Sequence, residues 1–305
     1  MNNTPFSFDP AHCELCPRRC GADRAARAGF CGAPDGAVVR HTMLRRFEEP
    51  CVAGADPERG AGTVFFGGCV LRCVYCQNST ISRRAEGEAL SVDALAATFL
   101  DLQSRGAYTL DLVSPTPYAP YIAAALDLLG DRLTIPVVWN TGGFERVETV
   151  AALAPYVDVW LTDVKYADGS LAARYGATRE YPGIALDALR AMVDAAGEPQ
   201  YADLADGSRI MTRGVIVRHL VLPTHRRDSE AALRAIADAV GVSSVVLSLM
   251  AQYTPGFAPD TFPELSRRVT TFEYEYAASV ARSLGFEGYG QERESASAAY
   301  TPEFE

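Results

Sequence analysis

Between residues 63 and 284 the chain alternates short, largely apolar runs with stretches of helical periodicity, and this constrains the fold more than any other feature. The apolar runs are TVFFGG at 63–68, YTLDLV at 108–113, PVVWN at 136–140, VDVWLTDV at 157–164, GVIVRHLVL at 214–222 and SSVVLSLM at 243–250. Behind them come SVDALAATFLDLQSRG, YIAAALDLLG, FERVETVAALAP, GIALDALRAMVDAAG, SEAALRAIADAVG and a helix near 265–284. In the first of these, Ser91 is the expected N-cap and Gly106 the expected terminator. Strands that are apolar throughout and separated by crossover helices build a parallel sheet covered on both faces. Six such units are two short of a closed (β/α)8 barrel. The expected fold is therefore α/β, a partial (β/α)6 TIM-type barrel, with a doubly wound sheet as the alternative. Both put function at the C-terminal ends of the strands.

The first 60 residues have another texture, rich in Cys, Gly, Pro and Arg and with almost no apolar periodicity. They read as a cysteine-rich metal-binding extension (1–60) ahead of the barrel (61–290) and a C-terminal tail (291–305). MNNTPFSFDP lacks the basic start and apolar core of a signal peptide, and runs such as VVLSLMA at 245–251 are too short to span a membrane. The expected compartment is the reducing cytosol, where clustered cysteines are metal ligands rather than disulfides. The net charge of −10 lies wholly in residues 61–305, with 30 acidic against 20 basic groups, which argues against a nucleic-acid partner. Lys165, the one lysine, stands in DVKY, so no P-loop exists. HExxH, GxSxG and GxGxxG are also absent, which removes metalloprotease, α/β-hydrolase and Rossmann readings.

All 8 cysteines fall between Cys13 and Cys76. Directly after the first strand comes GGCVLRCVYCQN, with Cys69, Cys73 and Cys76 spaced Cys-x3-Cys-x2-Cys. Three thiolates on one tight loop hold three corners of a cubane iron-sulfur cluster and leave one iron open to a ligand. Three of four zinc ligands, or reduced core cysteines, are the plainer alternatives.

That spacing, with aromatic Tyr75 before the last cysteine, resembles the radical SAM superfamily. The order EEPCVAG, GTVFFGGCVLRCVYCQN, SPTPY, WNTGG, LTDVKY, VRHLVLP and AQYTP resembles, from Cys13 to about Gln291, uncharacterised members named after pyruvate formate-lyase activating enzyme. The resemblance implies a [4Fe-4S] cluster that cleaves S-adenosylmethionine reductively to a 5′-deoxyadenosyl radical for hydrogen abstraction. It implies cofactor contacts for Tyr75, Ser114, Thr116, Asn140, Thr141, Gly142, Asp163, Lys165 and Arg218. Asn140 replaces the acid of the Asp-Thr-Asn-Gly turn found in glycyl-radical activating enzymes, which puts a monovalent cation site in doubt. Ser114, Pro115 and Thr116 replace the Gly-Gly-Glu common in the superfamily. His219, next to Arg218, points to the other face of its strand and reads as a buried histidine.

Cys13, Cys16, Cys20 and Cys31 form a second set, suited to structural zinc or to a second [4Fe-4S] cluster, and Cys51 is left unassigned. The implied function is activation of a glycyl radical enzyme, with an electron donor such as flavodoxin or ferredoxin. The alternatives are radical modification of another protein, peptide or small molecule, or, from a different class, a non-enzymatic iron-sulfur electron carrier or zinc-binding module.

Overall fold

The structure, a computed structural model, describes residues 8–258 and 260–290, so the tail expected at 291–305 lies outside the described residues. Its strands are β1 (Ala37–Arg45), β2 (Ala61–Phe66), β3 (Glu88–Leu90), β4 (Leu110–Val113), β5 (Val137–Thr141), β6 (Val159–Asp163), β7 (Gln200–Asp203), β8 (Arg209–Leu220), β9 (Val246–Met250) and β10 (Gly288–Gly290). They join one sheet in the order β10-β9-β8-β6-β5-β4-β2-β1-β3, with β7 paired to β8 off that path. The six strands read from the sequence are β2, β4, β5, β6, β8 and β9, and each lies parallel to the next. β3 and β10 end the sheet without pairing to each other, so the barrel is partial and open.

Alternate residues of these strands enter different cores. Trp139 and Trp160, fully buried with ring centroids 6.4 Å apart, join the large cluster formed with the crossover helices. Their neighbours Val138, Val159 and Leu161 join a separate cluster with Ile216. Burial of one such aliphatic side chain stabilises the fold by about 2 kcal/mol. The helix Val92–Ser104 starts where expected, the Ser91 hydroxyl accepting the Ala94 N–H at 3.1 Å. The last helix runs from Thr271 to Leu284 rather than from 265, because Thr270 and Glu273 close a capping box there.

The sheet is larger than the apolar runs foretell. Residues 37–45, inside the stretch read as nearly without periodicity, form a nine-residue strand antiparallel to β2. A register shift between Val39 and His41 breaks the alternation that marks a half-buried strand. The polar insertion at 198–213 is a hairpin of β7 with the start of β8, and most of β7 faces solvent.

Candidate active site

A cavity of about 410 Å³ opens at the C-terminal ends of the parallel strands. Its wall takes Phe65 from β2, Asn140 and Thr141 from β5, Asp163 from β6, Arg218 from β8 and Ser248 from β9. Cys69, Cys73, Tyr75 and Cys76 enter from the loop after β2, and Ser114, Gly142 and Lys165 from the loops after β4, β5 and β6. Of the expected cofactor contacts only Thr116 is absent from this wall. Its hydroxyl is buried and donates to Glu145.

The cysteine loop is held by backbone pairing. Arg72 N–H donates to the Gly176 carbonyl at 2.9 Å and Val74 N–H to the Tyr175 carbonyl at 3.1 Å. Gly68 turns the chain out of β2 with φ +81°, and a Cβ there would lie 2.3 Å from the Cys31 carbonyl oxygen. Burial pushes the Cys69 thiol up to about 11 and the Cys73 thiol to about 12, with the Lys165 ammonium opposing the rise. Such thiols ionise when a cation offers them a bond. Three soft donors on one loop, facing a cavity with room for a further ligand, fit an iron-sulfur cluster bound through Cys69, Cys73 and Cys76.

Lys165 pairs with Asp163, and both are mostly buried. Asn140 lies 3.5 Å from Asp111 Oδ2, while Asp111 Oδ1 has no partner and burial pushes that carboxyl up to about 8. Thr141 donates at 2.5 Å to Glu145, a buried carboxyl raised to about 7 by desolvation. A Cβ on Gly142 would stand 2.8 Å from Leu71 Cδ1, so a side chain there would push Leu71 from its place in the wall.

Arg218 reaches the cavity wall, but its guanidinium is engaged there. Nε donates to Glu49 Oε1 at 2.7 Å, and Nη2 donates to Glu48 and Glu49. Arg45 binds the other oxygen of Glu48 at 2.5 Å. Glu48, Glu49 and Arg45 also line the cavity and went unrecognised in the sequence, where the Glu-Glu-Pro before Cys51 was the available signal. His219 is buried and kept neutral by desolvation, its Nδ1–H donating to the Val164 carbonyl at 2.7 Å. Cys51 sits behind the wall, hydrogen-bonded to Tyr289 and pushed up to about 11 by burial.

Cys13, Cys16, Cys20 and Cys31 line a second void, of about 10 Å³, with Arg18, Arg24, Phe30 and Val70. Burial pushes the Cys16 thiol up to about 12 and raises that of Cys31. Arg18 Nε donates to the Val70 carbonyl at 2.6 Å, and the Phe30 ring lies between the guanidiniums of Arg18 (3.4 Å) and Arg72 (4.3 Å). Among the described residues no three Cys, His, Asp or Glu side chains converge closely enough to hold a metal ion as they stand.

Residues 63–209, which include the whole cysteine loop, match the family model described as Radical SAM superfamily. The chain carries a radical SAM domain. That domain implies a [4Fe-4S] cluster and S-adenosylmethionine as cofactors. The chain is 25% identical over 288 residues to Uncharacterized protein MJ0674 of Methanocaldococcus jannaschii, covering 90% of this chain and 76% of that protein. In fold it is similar to Streptococcus suis SuiB, solved bound to the precursor peptide SuiA, with a TM-score of 0.50 at 12% identity. That match covers 75% of this chain, which spans about half (48%) of the SuiB chain. Among the described residues no helix is long and apolar enough to cross a membrane.

Proposed function

We propose that this chain is a radical SAM enzyme that abstracts hydrogen from a protein or peptide, with activation of a glycyl radical enzyme as the specific reading. The observation that carries it is the placement of Cys69, Cys73 and Cys76 on one loop in the wall of the cavity at the strand ends. When bound there, a reduced [4Fe-4S] cluster supplies the electron that cleaves S-adenosylmethionine. The chain's own residues do the rest. Lys165 offsets the charge of the ionised thiols, and Asp163 holds that ammonium at the wall. Ser114, Asn140, Thr141 and Gly142 offer hydroxyl, amide and backbone groups to a polar cofactor, and Tyr75 offers a ring face. Leu71 and Phe65 exclude water, which a reactive carbon radical requires.

The motifs shared with the pyruvate formate-lyase activating proteins support the glycyl-radical reading. The SuiB fold, seen with a peptide bound, supports peptide modification as the second. Either uses a low-potential donor such as flavodoxin or ferredoxin, in the cytosol. Within the extension expected at 1–60, Cys13, Cys16, Cys20 and Cys31 hold zinc or a second cluster, while β1 and the Glu48–Glu49 pair belong with residues 61–290 to the catalytic barrel. An electron carrier or zinc module has no use for a cavity of about 410 Å³ beside the thiols.

The test is anaerobic reconstitution with iron and sulfide, reduction, and addition of S-adenosylmethionine. 5′-Deoxyadenosine is expected, along with a changed spectrum of the reduced cluster. Absence of both refutes the reading.

A further inference from the structure

Tyr75, Tyr166, Tyr175, Tyr181 and Tyr253 pack in the same buried cluster as Val70 and Leu71 of the cysteine loop. Two are tied to backbone: Tyr181 donates to the Gly142 carbonyl at 2.9 Å, and Tyr253 to the Leu265 carbonyl at 2.6 Å. The other three form a path from the cavity to Tyr175, itself fully buried beneath its part-exposed partners His225 and Glu264. Tyr75 lies in the cavity wall, and its hydroxyl shares a 2.5 Å hydrogen bond with that of Tyr166. The Tyr175 ring lies 6.4 Å from Tyr75 and 6.2 Å from Tyr166, centroid to centroid. Its hydroxyl donates to Glu264 Oε1 at 2.8 Å and lies 2.8 Å from His225 Nε2. Both of these partners are part-exposed, and Arg174 pairs with Glu264 at the surface.

Cofactor binding does not require this arrangement, but a site that makes carbon radicals has a use for it. A primary carbon radical that meets no substrate attacks the nearest weak bond. A phenolic O–H is weaker than the C–H bond formed by taking its hydrogen, and the resulting tyrosyl radical is delocalised.

We propose that Tyr75, Tyr166 and Tyr175 form an oxidation relay that carries an unspent radical from the cavity to a small thiol at the surface, a function that rests on the radical SAM reading above. The carbon radical first takes the hydrogen atom of the Tyr75 hydroxyl: a C–H bond forms, an O–H bond breaks, and the oxidising equivalent is shared with Tyr166 across their hydrogen bond. An electron then passes to this pair from Tyr175, whose proton moves to the Glu264 carboxylate. A proton taken up from solvent as the electron arrives restores the second O–H bond of the pair. Tyr175 is itself fully buried, so an electron rather than a hydrogen atom comes from a thiol at the surface, while Glu264 returns its proton to Tyr175 and the thiol proton goes to solvent. Two thiyl radicals couple to a disulfide. The net change is one carbon radical reduced and one thiol oxidised.

The experiment uses the reconstituted full chain, reduced with S-adenosylmethionine and no substrate, then freeze-quenched for electron paramagnetic resonance with 5′-deoxyadenosine measured in the same samples. The expected result is a tyrosyl signal that narrows with ring-deuterated tyrosine and decays faster as glutathione is added. In Tyr175→Phe and in Glu264→Gln the signal should persist several-fold longer, with more oxidation mapped to residues 68–78. Tyr253→Phe, whose ring lies 5.9 Å from Tyr75 but whose hydroxyl faces only a carbonyl, should not lengthen it. If 5′-deoxyadenosine forms with no tyrosyl signal, or with one of equal lifetime in Tyr175→Phe and Glu264→Gln, the relay is overturned and the enzyme reading stands. If no 5′-deoxyadenosine forms, both fall.

Discussion

The two sets of thiols meet at Val70, in opposite surroundings. Cys69, Cys73 and Cys76 face a cavity of about 410 Å³, whereas Cys13, Cys16, Cys20 and Cys31 surround a void of about 10 Å³ crowded by Arg18, Phe30 and Val70. Burial raises thiols in both, so acidity does not distinguish them. Space does. The first set leaves room for a reacting partner beside whatever it binds, and the second leaves none, which is the division between catalytic and structural metal sites.

The largest effect that sharpens this contrast is on turnover. Replacing Cys69, Cys73 and Cys76 by alanine is expected to abolish 5′-deoxyadenosine formation while metal remains on the N-terminal set, read by metal analysis beside chromatography of the products. Retained turnover would assign the chemistry to the other set. Next comes the joint between the sets. Gly68→Ala forces a left-handed residue to carry a Cβ against the Cys31 carbonyl, at a cost of about 4 kcal/mol. A fall in melting temperature and loss of metal from both sets are expected, and an unchanged melt would sink the argument.

Glu145 probes the space between the sets, since its carboxyl accepts from Thr141 at the cavity and bears electrostatically on Cys16. Its pKa in the fold is raised from 4.5 to about 7, so the folded state binds this proton more tightly than the unfolded chain does. Its contribution is full below about pH 4.5, declines as pH rises, and is gone above about pH 7, a loss of up to about 3 kcal/mol. Denaturation of Glu145→Gln across that window should show a flatter profile than the native chain. The smallest effect belongs to Arg18→Ala, which removes one hydrogen bond and contacts with the Phe30 and Phe144 rings for about 1–2 kcal/mol. Its destabilisation should not add to that of a Cys31→Ala variant if the two act through one joint, and full additivity would separate them.

Legibility in the sequence followed the range of the interactions. The six parallel strands were visible because both faces are buried, so each reads as a continuous apolar run. The cysteine loop was visible because its spacing is local. β1 was hidden by its slipped register. Glu48 and Glu49 were hidden for a different reason: adjacent acids ordinarily mark a solvated turn, and what buries these two is Arg218, about 170 residues along the chain. Thr116 stands where the superfamily commonly has Gly-Gly-Glu, a motif that this chain lacks, and its hydroxyl instead serves Glu145. The tyrosine path is assembled from the cysteine loop and the segments after β6, and nothing in any one of them announces it.

β1 alters what a fragment of this protein would be. A cut at the change of texture near residue 60 would strip away the strand that covers β2, whose six residues are all buried. The remainder would present an apolar strand edge, a template for pairing with other chains, and such a fragment would aggregate before its chemistry was ever assayed.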